Sequence, residues 1–335
     1  MTSAPLVSVI VVNYNGKKYL KNCFDSLANV NYPDFELILV DNGSSDNSVE
    51  FIRQNYPKVK IIELKENMGL AVASNRGAQI AKGEYLFFLN NDTIVDKNIL
   101  SELVKAAQAD QKIAVCACDV FTYDGKSRIG EKIGVSVDRF GYPCYNRGPL
   151  FYPDAAIFIR KKVFEEIGRF DSRLFLYGED RDLCWRVWLQ GYRIAPVETA
   201  KFLHDSACTL EGEKNYKTNT WKRELGERSL IRSMLKNYSL STLAYILPQY
   251  ILLSSLELMA LIFSGQYKVV KEAYFKAYIW NIKNFKDTWN EHKRVSRIRV
   301  IPDRLLRKIM AREIGKICVF IDIGIPKFES KLYKT

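Results

Sequence analysis

The chain has 335 residues, of which 47% are hydrophobic and 26% charged, so it holds one large or two ordinary globular domains with a real core. Two histidines leave any metal site mostly to oxygen ligands. Seven cysteines show no CxxC pair and no regular spacing, and no signal peptide opens the chain, so reduced thiols in a cytosolic compartment are expected. The formal charge of +12 is uneven: residues 1–210 carry 26 basic and 26 acidic groups, whereas residues 211–335 carry 24 and 12. That split predicts a neutral catalytic domain over 1–210 and a basic region over 211–335 that meets an anionic surface.

Val7–Val12 is a first predicted strand, broken at Asn13-Tyr14-Asn15-Gly16, after which Tyr19, Leu20, Cys23, Phe24 and Leu27 recur at helical spacing. A second apolar run, Glu36–Val40, ends on Asp41, and Ser44, Ser45 or Asp46 can cap a helix through Tyr56. Lys60–Leu64 is a third strand, and Gly69–Lys82 a small-residue helix stopped by Gly83. Tyr85–Leu89 is a fourth strand that runs into Asn90-Asn91-Asp92. Four β-α alternations predict a doubly wound, Rossmann-like α/β fold with a mostly parallel central sheet. In such a sheet, ligands sit at the carboxyl ends of the strands. Asp41 and Asp92 are therefore expected to face one crevice, the layout for a nucleotide with a metal-bound diphosphate.

Ile113–Phe121 and Ala155–Ile159 read as further strands, and 122–150 as loop or hairpin over the crevice. Cys116 and Cys118 are expected on opposite sides of their strand and not to share a metal. Asp180–Gln190 reads as a helix, with Leu183, Val187 and Trp188 on one face and Gly191 as its stop. Long helices follow beyond residue 210. No GxxxxGK[ST] loop occurs and no GxGxxG follows the first strand, which argues against a P-loop nucleotidase and a dinucleotide oxidoreductase.

Five segments in order carry a resemblance: Val9–Asn15, Val40–Asp46, Glu66–Gly69 with Asn75-Arg76-Gly77, Phe88–Asp92, and Tyr177–Asp180 with Asp182–Arg186. Together they resemble family 2 glycosyltransferases of the GT-A fold, rhamnosyltransferase-like members in particular, over residues 6 to about 205. The resemblance implies inverting transfer of a sugar from a nucleotide-diphosphate donor, dTDP-rhamnose first and a UDP-sugar second. The acceptor would be a hydroxyl of a saccharide or lipid-linked glycan.

Asp41 can accept the imide N–H of uracil or thymine, the role the resemblance implies, or cap the next helix. Asn13 and Asn15 would line the same pocket. Asn90-Asn91-Asp92 stands where the family usually has an acid-x-acid triplet, and here only Asp92 is acidic. The amides of Asn90 and Asn91 can reach ribose or phosphate. His204 matches the position where related enzymes supply a second metal ligand, so Asp92 and His204 are the expected ligands of a divalent cation, Mg²⁺ or Mn²⁺. Each also has a plain structural reading, as a turn acid and a hydrogen-bonded histidine. Glu179-Asp180 opens a helix, whose N-terminus favours an ionised carboxylate while the second acid raises the pair's proton affinity. The resemblance implies Asp180 as general base and Glu179 as its supporting neighbour, and capping is the structural alternative. Gly69 and Asn75 are expected at base or phosphate unless they serve only the helix start. Asp154 is expected to face sugar or acceptor.

Residues 242–263 are mostly apolar but interrupted by Pro248, Gln249, Ser254, Ser255 and Glu257. A single crossing would export the 17 Lys and Arg residues beyond 263, against the positive-inside bias, so helices lying in or on the cytosolic leaflet are expected, with burial against the catalytic domain or a second subunit, and a true span, as the alternatives. Lys268, Lys271, Lys276, Lys283 and Lys286, interleaved with aromatic residues, fit lipid phosphate and headgroup depth. The chain is thus expected to be peripheral on the cytoplasmic face of the cell membrane, with homodimerisation open. No nucleic-acid partner is expected, because no such motif accompanies the charge. The missing acids at Asn90 and Asn91 favour one alternative, a catalytically weak membrane scaffold in a glycan-assembly complex.

Overall fold

The computed structural model describes residues 4–205, 217–324 and 327–328, which fall into two compact units. The first comprises the described residues up to 135 together with 150–205; the second comprises 136–149 and those beyond 216. The boundary expected at 210/211 lies outside the described residues. The stretch 136–149, expected as part of a loop over the crevice, instead packs with the second unit: the carboxylate of Asp138 accepts from Phe140 N, Tyr142 N and Gly315 N.

In the first unit β1 (Val7–Asn13), β2 (Phe35–Asp41), β3 (Lys60–Glu63) and β4 (Tyr85–Asn90) are parallel, in the order β3-β2-β1-β4. Helices α1 (Lys17–Ala28), α2 (Ser48–Asn55) and α3 (Leu70–Ile80) alternate with them. Then come β5 (Thr93–Val95), α4 (Ile99–Ala109) and β6 (Ile113–Thr122). After the hairpin β7 (Ser136–Val137) and β8 (Pro143–Cys144) of the second unit come β9 (Ala156–Arg160), α5 (Lys161–Glu166), α6 (Glu179–Leu189) and β10 (Arg193–His204). The full sheet has eight strands, and only β9 and β5 run against the rest.

The central strands β1, β4 and β9 read as nearly continuous apolar runs because both faces are covered, whereas the outer β3 and β10 are largely polar and exposed. Leu20, Cys23, Phe24 and Leu27 seat α1 on one face, where each of the larger apolar side chains contributes about 1.5–3 kcal/mol. Cys116 and Cys118, two residues apart on β6, share one face in that same core, since strand side chains repeat every second residue. The opposite-face expectation was therefore wrong. Burial raises both thiols, which makes them inert core groups. The N-cap of α2 is Asn47, in the left-handed region at φ 62° and without a side-chain cap; Asp46, expected with Ser44 or Ser45 as the cap, lies one residue earlier and its Oδ1 accepts from Ser48 N at 3.1 Å. Two registers position the site. Leu89 pairs with Ala156, which puts the start of antiparallel β9 beside the exit of β4, and Thr93 pairs with His204.

The second unit is helical: α7 (Thr220–Asn237), α8 (Leu240–Phe263), α9 (Tyr267–Val269) continuing through a π turn (Val270–Phe275) into α10 (Lys276–Lys283), then α11 (Phe285–Ile298), α12 (Asp303–Leu306) and α13 (Gly315–Ile323). Asn219 caps α7 and Ser239 caps α8 through their side-chain oxygens. Fully buried Arg232 ties α7 to α11 by donating to Asp287 and to Thr288 Oγ1, each at 2.7 Å.

Candidate active site

The exits of β1, β2 and β4 meet at one edge of the sheet. Asn13 lies between them, fully buried. Its amide donates to Asp41 Oδ1 at 3.0 Å and to Ser44 Oγ at 3.1 Å, and its oxygen accepts from Asn91 Nδ2 at 2.7 Å. Asp41 Oδ2 takes Ser44 N at 2.8 Å. Each oxygen of Asp41 thus holds one protein donor and keeps a lone pair for another. Asn15, in the left-handed region at φ 48°, accepts from Ser45 N and locks the β1 turn to the β2 turn. Gly16 leaves the room that Asn91 occupies: a β-carbon there would stand 2.1 Å from Asn91 Nδ2 and displace that amide.

The second corner is built from β4, β5 and β10. Because Thr93 faces His204 across the ladder, His204 Nε2 reaches Asp92 Oδ1 at 3.3 Å, and Asn90 Nδ2 lies 3.5 Å from the same nitrogen. The Asp92–His204 contact is an ion-pair distance without hydrogen-bond alignment, and Asp92 Oδ1 is otherwise an unsatisfied buried acceptor. Burial pulls the imidazole down, but Asp92, Asp154 and Asp205 outweigh it and leave His204 above its usual pKa. Two neighbouring ligands of an octahedral ion at about 2.1 Å stand about 3 Å apart, so this pair fits a Mg²⁺- or Mn²⁺-sized cation. No group of three or more His, Cys, Asp or Glu side chains fit to hold a metal occurs among the described residues. The protein would therefore give two ligands and leave the remaining positions to other oxygen donors.

The third group is acidic. Asp154 stands just before β9, beside the β4 exit, and Ala155 after it has φ 58°. Burial raises the Asp154 carboxyl against the lowering pull of His204. Glu179 and Asp180 open α6 behind Tyr177 (φ 67°) and Gly178 (φ 101°). Burial raises both carboxyls; Asp180 pushes Glu179 up further, and Asp154 adds to the rise at Asp180. Glu179 Oε2 is buried without a partner, whereas Asp180 Oδ1 accepts from Arg181 N. The electrostatic row Asp92–His204–Asp154–Asp180 joins the metal-type corner to the acid pair.

Two predicted residues turn elsewhere. Asn75, expected at base or phosphate, gives its amide nitrogen to Phe170 O at 2.9 Å and takes Phe170 N on its oxygen at 3.1 Å. Gly69 (φ 87°) packs against Phe175, whose carbonyl accepts from Leu70 N at 2.7 Å. Both carry the 170–175 segment that leads to Glu179-Asp180. Sequence reasoning missed several supports. Asn42 donates to Asn67 and accepts from Met68 N, holding the β3–α3 turn beside Asp41. Tyr19 donates to Asp205, next to His204. The fully buried pair Asp182–Arg186 (2.8 Å) closes on Ile167 O and Arg169 O, and Trp188 Nε1 donates to Phe151 O, three residues before Asp154. Asn42, Asn67 and the Asp182–Arg186 pair lie inside the segments that carry the resemblance, and the i, i+4 spacing of Asp182 and Arg186 was the signal for their pairing.

Residues 8–168 match the family described as Glycosyl transferase family 2. The chain is 36% identical over 217 residues to Glycosyltransferase GlyG of Streptococcus pneumoniae, covering 59% of this chain and 70% of that one. It is 28% identical over 236 residues to the O-antigen biosynthesis protein RfbC of Myxococcus xanthus, covering 65% of this chain but only 18% of that protein. In fold it is similar to Staphylococcus aureus TarS 1-349 in complex with UDP (TM-score 0.51, 20% identity, 69% of this chain and 66% of that one). It is also similar to GalNAc-T7 with UDP, GalNAc and Mn²⁺ (TM-score 0.56, 20% identity, 70% and 48%).

Proposed function

Since the chain belongs to glycosyltransferase family 2 and is a glycosyltransferase, we propose that it is an inverting enzyme that moves a sugar from a nucleotide-diphosphate donor to a hydroxyl of a saccharide or lipid-linked glycan. dTDP-rhamnose is the first donor and a UDP-sugar the second; the UDP in both similar structures supports a pyrimidine nucleotide. The name of the similar O-antigen protein supports a surface-glycan acceptor. Work at the cytoplasmic face of the membrane belongs to the same reading.

Asp41 uses a remaining lone pair to accept the pyrimidine imide N–H. Asn91 and Asn90 stand where ribose and diphosphate would lie. Asp92 and His204 would hold a divalent cation, which would supply charge neutralisation at the leaving diphosphate. Asp180 removes the acceptor hydroxyl's proton as its oxygen attacks the anomeric carbon from the face opposite the departing diphosphate. Glu179, the more strongly raised of the pair, keeps its proton and offers a hydrogen bond from Oε2. The α6 N-terminus stabilises the ionised partner.

The observation that carries this reading is the acid pair opening α6, with raised carboxyls and an unpartnered oxygen, in electrostatic contact with Asp154. Incubation with a panel of nucleotide sugars and membrane extract, with and without Mn²⁺, tests it. Asp180→Asn should keep donor binding and lower transfer about 10²–10⁴-fold; unchanged transfer removes Asp180 from the role. The absence of carboxylates at Asn90 and Asn91 favours a second reading, a catalytically weak membrane scaffold, and failure of every donor to turn over in the panel would select it.

A further inference from the structure

We propose that the second unit docks on an anionic lipid bilayer through the outward faces of α8, the α9–α10 stretch and α13, an inference that gives the membrane-side placement above its surface. These helices are reversed with respect to water. On α8 the inward stripe is Leu243, Ile246, Tyr250, Ser254, Glu257 and Leu261, at spacings of three and four. The outward face carries Tyr245, Ile251, Leu252, Leu256, Met259 and Phe263, all exposed, Phe263 at 88%, and no charge. A surface helix of a soluble domain does the opposite. The pattern repeats on α13, where Lys316 turns in while Ile317, Phe320 and Ile321 face out. On the α9–α10 stretch Tyr274 and Asn281 turn in while Phe275, Ile279 and Ile282 face out.

The inward charges close on themselves. Lys316 Nζ contacts Glu257 Oε2 at 2.8 Å and Glu227 Oε1 at 2.7 Å; Arg223 pairs with Glu257, and with Glu227 at 3.2 Å; Tyr250 donates to Glu227 at 2.9 Å. Two cations and two carboxylates sum to zero. Glu257, which counts against a membrane crossing in the sequence, is thus an internal group.

Charge complementarity selects lipid as the occupant. Lys268 and Lys271 at one end and Lys283 and Lys286 at the other, all exposed, bracket the apolar row Phe275–Ile279–Ile282. Anionic headgroups match such a rim around an apolar centre. A second copy would set like charge against like.

Flotation of the full chain with phosphatidylcholine vesicles, with and without phosphatidylglycerol, tests the proposal, with UDP and dTDP binding measured by calorimetry on the same preparations. The wild type should float with phosphatidylglycerol vesicles. I251E/L252E should lower partitioning at least about tenfold, with nucleotide affinity and far-UV circular dichroism unchanged. K283Q/K286Q, which leaves the apolar face intact, should weaken binding only where phosphatidylglycerol is present. A wild type that stays down on both vesicles overturns the proposal. So does partitioning that neither variant changes, or a dimer that I251E/L252E dissociates while flotation is absent. Loss of nucleotide binding with flotation retained would sink the donor reading and leave this one standing.

Discussion

Two adjacent carboxylates in one poorly solvated spot cannot both ionise easily, and their environments decide which keeps the proton. The Arg181 charge acts on both, but Asp180 also accepts the Arg181 N–H, whereas Glu179 has an oxygen with no partner. Spacing alone left the two indistinguishable; the partnered oxygen of Asp180 and the orphaned oxygen of Glu179 are the asymmetry on which the proposed assignment rests. The Asp180 carboxyl is pushed up to about 6, so transfer should fall as pH drops through about 6, above the ordinary carboxylate range, in a kcat/KM profile. The same shift affects stability. A carboxyl raised in the folded state favours folding when protonated, so this contribution is lost as pH rises from the unfolded value near 3.8 through about 6. Asp180→Asn should therefore raise the melting temperature at pH 7–8, with an advantage that shrinks towards pH 4. An equal effect at both pH values would contradict the assignment. Gly16→Ala is expected to push Asn91 off Asn13 and weaken nucleotide affinity at unchanged fold, checked by calorimetry.

At the scale of elements, the parallel half of the sheet was legible because β1, β2 and β4 are unbroken apolar runs that exit on polar residues. The directions of β9 and β5 were not, since a short strand's direction comes from its neighbours rather than its composition. Those two directions matter for the site: β9 reversed brings Asp154 to the β4 exit, and β5 reversed sets His204 beside Asp92. Asn75 shows a second limit. An amide has the same chemistry whether it meets a phosphate or a backbone 95 residues away, and only tertiary structure chooses. If Asn75 serves the 170–175 segment, Asn75→Ala should cost about 1–3 kcal/mol in denaturant unfolding while nucleotide affinity is unchanged. A loss of affinity at unchanged stability would restore it to the ligand. Arg186→Met should destabilise by about 3–5 kcal/mol, because Asp182 would be left charged and buried without its partner.

Across the whole chain, the charge asymmetry was readable by counting, but where the second unit's charges point was not. Composition shows α8 as apolar with one acid in it, and of the described helices it is the one long and apolar enough to cross a membrane. The fold shows that its single acid is the helix's link to Arg223 and Lys316, so the charge that counts against a crossing points inward and the outer face carries none. Burial alone would raise the Glu257 carboxyl, yet Arg223 and Lys316 hold it below its usual value. Its charge is therefore present at neutral pH, and removing it leaves an uncompensated positive charge inside the helices. Glu257→Leu should thus destabilise the helical unit by about 3–5 kcal/mol even though it adds apolar surface. Hydrogen exchange locates the effect: amides of α7 and α8 should lose protection while those of β1, β2 and β4 keep theirs. Glu257→Leu paired with Lys316→Met removes one charge of each sign and should recover much of the loss. If the single variant is as protected as the wild type, the inward network is not what holds α8 with its apolar face outward.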